Sequence, residues 1–335
     1  HKFGFYEGAI DWYEKSKGQG ANPMQVNELI NSCRWALKNQ DLVNYRVNPS
    51  SLATFGQSFG IQYYKDGVVY SSAKEGTSKI DKQGKAILNL FYSDVVNGEI
   101  EEGSRLFSKN LQFPSHVGAI SFTSDYKYMY YTKAVRKKNG SSGIKIFMVE
   151  YDGRDWVNET EISLNSDDYD CAHPTISPDD KTIFFVSNKS GGHGGKDLYY
   201  AERKGPNTFG TVKNLGNDVN TFGDEMFPFA SKDNKLYFSS DGHLGFGGLD
   251  IFSAELVNGK WSNVTNLMKP FNSNRDDFGY VIDPKDPVRG FLSSNNFGNA
   301  TSDVIFYVRK SDDGDKSVAS KVPIAGLENI ISDQE

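Results

Sequence analysis

Three acidic clusters are the first places where side chains could do chemistry: Asp167-Asp168-Tyr169-Asp170, Gly223-Asp224-Glu225 and Asp276-Asp277. Carboxylates this close together can ligate calcium or act as the acid and base of a glycosidase. They recur at matching places in successive stretches of the chain, however. A catalytic pair must be unique, because acid and base need different environments. Calcium needs about six to eight oxygens, and no segment has the spacing of an EF-hand or a repeat-toxin loop. The repeated carboxylates are therefore expected to accept hydrogen bonds from backbone amides, and no metal and no cofactor is expected.

Other chemistry fares no better. Cys171 and His173 stand two apart, so on a strand they would share a face, but no oxyanion donor or third member can be named. The glycine runs Gly194-Gly195 and Gly245–Gly248 are not followed by helices, so they do not form phosphate cradles. Cys33 and Cys171 are the two cysteines and fall in different modules, which argues against a disulfide framework or a zinc site. No catalytic residue is assigned.

The glycine-rich loops point instead to binding, since loops on a rigid scaffold are where contacts concentrate. His193, His243, Phe246 and Arg275 are the large or ionisable side chains on them, and they are the partner-binding candidates. The plainer reading is that the glycines serve turn geometry and these side chains pack on neighbouring loops.

What must position these loops is a repeat. Aligned on one strand, the chain shows five copies, at Asn89-Leu90-Phe91, Lys145-Ile146-Phe147, Asp197-Leu198-Tyr199, Asp250-Ile251-Phe252 and Asp303-Val304-Ile305. A preceding strand recurs as Val68–Ser72, Tyr128–Thr132, Thr182–Ser187, Lys235–Ser240 and Arg289–Ser293, each after a turn such as Lys232-Asp233-Asn234. A further strand follows a tight turn, with Asn-Gly at Asn97-Gly98 and Asn258-Gly259 and Asp152-Gly153 in the same place. Four antiparallel strands repeated at about 50 residues are the signature of a β-propeller. The fold class is therefore mainly β, a five-bladed propeller with a short N-terminal helical segment. The last copy lacks an outer strand, and residues 42–47 are expected to supply it and close the ring. Strand order then puts all the long loops on one face, including the interblade segments Asp168–His173, Asn217–Glu225 and Phe271–Asp277.

The division expected is residues 1–41 helical, 42–310 propeller, and 311–335 linker or the start of another module. In the first part, Tyr6, Ile10 and Tyr13 share a helical face. After Asn22-Pro23, a cap and a first-turn proline, Val26, Leu29, Ile30 and Cys33 do the same. A formal net charge of −6 makes a nucleic-acid partner unlikely on electrostatic grounds, and no apolar run approaches the roughly 18 residues needed to span a bilayer. Abundant Tyr, Phe and Gly suit pleated strands and tight turns. The abrupt start and open end read as those of a mature or excised piece.

The segments Pro228, Leu236–His243, Gly245-Phe246-Gly247-Gly248 and Asp250-Ile251-Phe252 resemble the WD-like repeat of TolB-type propellers. The third copy repeats the pattern in Pro174, Ser177-Pro178-Asp179-Asp180-Lys181, Ser187-Asn188, Gly194-Gly195 and Asp197-Leu198-Tyr199. This version is similar to that of OmpA-family envelope proteins of Bacteroidota, in which tetratricopeptide-like helices precede the propeller. Gly8-Ala9-Ile10 with Tyr13 matches the spacing of one such helix. Copies one and two depart from the motif, with Asn89 and Lys145 in place of the Asp. The resemblance implies a non-enzymatic protein-interaction scaffold of a bacterial envelope complex, the type IX secretion system among them. It also implies a periplasmic location, with outer-membrane attachment through parts outside this chain. The partners implied are envelope proteins or an extended segment laid on the long-loop face. The OmpA part is absent, so peptidoglycan binding is not implied. The alternative is a carbohydrate-active propeller enzyme, a glycoside hydrolase.

Overall fold

The computed structural model describes the chain except residues 2–3, 18, 55–56, 74–79, 81–83, 85, 112–113, 139, 297–301 and 312–335. The expected linker 311–335, beyond Ser311, and most of the loop Asn295–Thr301 lie outside the described residues. The rest forms five antiparallel sheets arranged as the blades of a propeller, with two helices, α1 (Tyr6–Lys17) and α2 (Pro23–Lys38), ahead of them. No helix among the described residues is long and apolar enough to cross a membrane.

Each blade begins with an inner strand: Ser58–Tyr64, Val117–Phe122, Cys171–Ile176, Glu225–Ala230 and Asp277–Ile282, taken here as blades 1 to 5. Outward from these the strands follow in chain order, so the third strand of blade 4, Asp250–Val257, lies between Lys235–Ser240 and Lys260–Asn266. In blade 5 the third strand, Val304–Lys310, pairs instead with Tyr45–Pro49, and the register puts Val47 opposite Val308. A strand from the start of the chain thus completes the last sheet. Its bounds run from Tyr45 to Pro49, a few residues later than the expected 42–47. Leu42 itself makes a single bridge to Lys269.

The period-2 alternation of each strand feeds two cores, because each blade face meets a different neighbour. Ile183 and Phe185 enter the cluster shared with blade 2, where Ile146 and Met148 lie. Phe184 and Val186 enter the cluster shared with blade 4, against Leu236 and Phe238. The ring closes through Tyr63, Val68 and Phe91 of blade 1 packed on Phe291, Ile305 and Tyr307 of blade 5. Turn chemistry follows the sequence: Asn97-Gly98 and Asn258-Gly259 have positive φ at both residues, as two-residue type I′ hairpins require.

The innermost strands share one feature the sequence reading did not foresee. All five shift register in the same place, between Phe59 and Gln62 in blade 1 and between Phe278 and Val281 in blade 5, for example. These are β-bulges, and they bend the strand and re-aim its side chains. The bulged residue has positive φ at Gly60 and Gly279, and equally at His173 and Phe227, which are not glycines.

Candidate functional site

Antiparallel order brings the loops between second and third strands to the same face as the interblade segments. In blades 3 and 4 these loops are two copies of one turn. Asp250, first residue of its strand, accepts from the amides of Phe246 and Gly247 at 2.9 and 3.2 Å. Asp197 accepts from His193 and Gly194 at 2.7 and 3.0 Å, and from Asn214 Nδ2 at 2.7 Å. The glycines permit close approach: a Cβ on Gly194 would sit 2.3 Å from the Gly223 oxygen, and one on Gly247 would sit 2.3 Å from the Asn274 oxygen. His193 and Phe246 are therefore structural counterparts, each at the tip of its loop.

The four candidate residues meet different fates. His193 is exposed. His243 is half-buried; its Nε2 lies 2.8 Å from the Val219 oxygen, and its ring packs on Phe252 with centroids 5.0 Å apart. Burial pushes its pKa below the usual imidazole value. Arg275 is half-buried, and its backbone is part of the loop frame, with N–H donating to Ser273 Oγ at 3.1 Å and C=O accepting from Gly248 at 3.0 Å.

Phe246 calls for a correction. It is 0 % exposed and sits in a pocket of Tyr6, Cys33 and Ala36, with Trp35 edge-on at 5.1 Å. Its occupant belongs to this chain. Ser32 Oγ donates to the Gly245 oxygen at 2.9 Å and accepts from the Gly245 amide at 3.0 Å, while Tyr6 Oη donates to the Phe246 oxygen at 2.8 Å. The helical pair is a cap on the blade 4 loop, held by aromatic packing and by hydroxyls bonded to loop backbone. Sequence periodicity gave the buried helix face but could not say what covers it.

The acidic clusters are bound into blade junctions. Glu225 is fully buried and accepts from the Thr221 amide at 2.9 Å, Thr221 Oγ1 at 2.6 Å and Ser240 Oγ at 2.7 Å. Desolvation nevertheless pushes its carboxyl up to about 7. Asp277, likewise buried, accepts from the Ser273 amide at 2.6 Å and is raised by burial to about 6. Asp224 pairs with Lys196, Asp276 accepts from the Leu249 amide at 3.0 Å, and Asp170 accepts from the Ile144 amide at 3.1 Å. Lys145, which replaces the repeat Asp in blade 2, bridges Glu161 and Asp167, both at 2.7 Å. Among the described residues no group of three or more His, Cys, Asp or Glu is placed to hold a metal.

Cys171 and His173 separate, contrary to the shared face expected of them. The bulge between Ala172 and Thr175 breaks the alternation. Cys171 goes into the core between blades 2 and 3, where burial pushes its thiol up to about 12. His173 goes to the wall of the central channel, with Phe227 stacked on it at 3.8 Å and donating its amide to Nδ1 at 3.3 Å. Burial pushes this imidazole down to about 3, so it is neutral, with its proton on Nε2. Phe59, Phe227 and Phe278 make a cluster of ring contacts beside it. The sequence also holds Gly56-Gln57-Ser58-Phe59-Gly60, which fits the Gly-x-Ser-x-Gly of a nucleophile elbow. That elbow needs a strand, a sharp turn and a helix. Here Ser58 instead opens an inner strand, buried, with its hydroxyl on Ser72 Oγ at 2.9 Å.

No family model matches the sequence, and no curated protein does. Among solved structures, TolB from Acinetobacter baumannii is similar at 14 % identity over 87 % of this chain and 70 % of its own, with a TM-score of 0.42. An endo-arabinase from Bacteroides thetaiotaomicron shares 13 % identity over 80 % of this chain and 97 % of its own, TM-score 0.48. An α-L-arabinofuranosidase from Lactobacillus brevis shares 10 % over 77 % and 90 %, TM-score 0.47. The chain is a five-bladed β-propeller on its own strand pairing; likenesses this remote bring no activity to it.

Proposed function

We propose that this protein is a non-enzymatic interaction scaffold of a bacterial envelope complex, binding protein partners on its long-loop face. The observation that carries this reading is how the face is built. Carboxylates such as Glu225, Asp277, Asp276 and Asp224 are taken up in amide capture and ion pairs at blade junctions, the glycines let neighbouring loops pack backbone to backbone, and loop tips such as His193 face outward. A rigid array of tips is suited to recognising another surface. The motif resemblance supports an envelope setting in the periplasm, next to the outer membrane, and extends to PorE of the type IX secretion system. Recognition of an extended or folded protein segment fits better than turnover of a small substrate, because the buried Glu225 and Asp277 are enclosed by hydroxyl and amide donors. The test is an activity screen with aryl glycosides and polysaccharides beside affinity capture from envelope extract. Turnover lost on Asp276→Asn or Glu225→Gln would sink the scaffold reading; capture that weakens when loop-tip residues are replaced, with no turnover, is the result expected.

A further inference from the structure

The blade 3 loop repeats the turn that the helical pair caps on blade 4, yet none of the described residues covers it. Gly192 and His193 are exposed, and no described residue bonds to the Gly192 amide or to the two carbonyl oxygens. Their counterparts Gly245 and Phe246 are buried, and those backbone groups are taken by Ser32 and Tyr6. Beside the open tip runs the interblade segment on which Gly194 packs, and it carries Phe222, 36 % exposed. Glu28 and Leu29 of α2 line one crevice together with Phe222, Asp241 and Gly242. The open tip therefore adjoins the flank of an existing helical layer.

We propose that the blade 3 tip docks an α-helix of a partner protein, laid beside α2 and against Phe222. This rests on the reading of the long-loop face as a protein-binding surface and names what it binds there. The covered turn defines the chemistry. A serine or threonine hydroxyl bridges the Gly192 amide and carbonyl as Ser32 bridges those of Gly245. An apolar row meets Phe222 and Leu29, and an acidic side chain faces His193 and the neighbouring Lys189. A second copy of α1 and α2 is the wrong occupant, because their pocket of Tyr6, Cys33 and Ala36 accepts a phenyl ring, whereas an imidazole would lose its hydrogen-bond partners there.

The experiment places the photo-cross-linking residue p-benzoylphenylalanine at Ser190 in the full chain, in the cells that produce it. Companions carry it at Asp168 and Arg275 on the same face and at Lys232 on the short-turn face. Adducts are sequenced by mass spectrometry. The expected adduct at Ser190 exceeds the Lys232 control and maps to a partner α-helix bearing Ser or Thr and Asp or Glu within one turn. It also falls by about tenfold on Phe222→Ser, the size of effect a central apolar contact has. An adduct on a strand, an unstructured segment or this chain itself would overturn the proposal. Adducts at Asp168 or Arg275 with none at Ser190 would overturn it and leave the scaffold reading standing; none on the whole face would remove both.

Discussion

The Tyr6 hydroxyl donates to the Phe246 carbonyl oxygen at 2.8 Å, and 240 residues of chain separate the two. This bond, with Ser32 on Gly245, ties the N-terminal helices to a loop tip of blade 4. Phe246→Ala empties a fully buried aromatic site, a change that costs about 3 kcal/mol in well-packed cores. The expected result is faster amide hydrogen exchange in residues 6–38 with exchange in the blade strands unchanged. Unchanged protection of both helices would show that something else holds them.

Ring closure rests on Tyr45–Pro49 completing the sheet of blade 5. A chain lacking residues 1–49 leaves Val304–Lys310, whose first five residues are all apolar, as an open edge. Such a truncation should lower the unfolding temperature by more than about 5 °C, the shift expected for the loss of two or so kcal/mol in a domain of this size, and should drive association on size-exclusion chromatography. A monomer with the parent Tm would contradict the closure.

Glu225 has a carboxyl raised by burial to about 7, above the 4.5 of an unperturbed glutamate. A raised acid binds its proton more tightly in the folded chain, so its contribution is fully present below about pH 4.5 and is lost as pH rises through about 7. The effect is on the order of 3 kcal/mol from the size of the shift. Stability measured by urea unfolding should therefore decline more steeply between pH 4.5 and 7 in the parent than in Glu225→Gln, whose amide does not titrate. Parallel pH profiles for the two proteins would refute this role.

Gly279 and Gly60 hold the same bulge position with φ of 63° and 65°. A Cβ on Gly279 meets only ordinary contacts at 3.8 Å and beyond, whereas one on Gly60 lies 3.1 Å from the Ala119 Cα. Gly279→Ala should cost about 1–2 kcal/mol through backbone conformation alone. Gly60→Ala should cost more, since the neighbouring strand must shift as well. Equal effects in chemical denaturation would mean that the contact at Ala119 relaxes freely.

Asp197 holds three donors at the base of the open loop. Asp197→Ala leaves them without an acceptor, at about 1–3 kcal/mol for buried groups. Hydrogen exchange at Gly191–Gly195 should quicken while that of the blade 4 loop stays as it is.

Much of this architecture was legible in the chain itself. Five strand copies at a near-constant interval, with Asn-Gly turns between third and fourth strands, determine a five-bladed propeller, because strand periodicity and hairpin geometry are local properties. The need for a late outer strand was legible too, since the last copy ends after three. The recurrence of Asp197 and Asp250 at one place in the repeat was legible as well, and the structure gives both the same task of capturing loop amides. Tertiary structure alone decided the rest. Phe246 is identical in sequence terms to an exposed loop aromatic, and only the docking of helices distant in the chain turns it into a buried peg. Cys171 and His173 part because a bulge in an inner strand cancels the period-2 rule, and bulges leave little trace in residue type when the positive φ falls on His173 or Phe227 rather than glycine. Burial against a distant segment and register shifts within a sheet depend on contacts made across the whole ring, and local sequence carries no record of them.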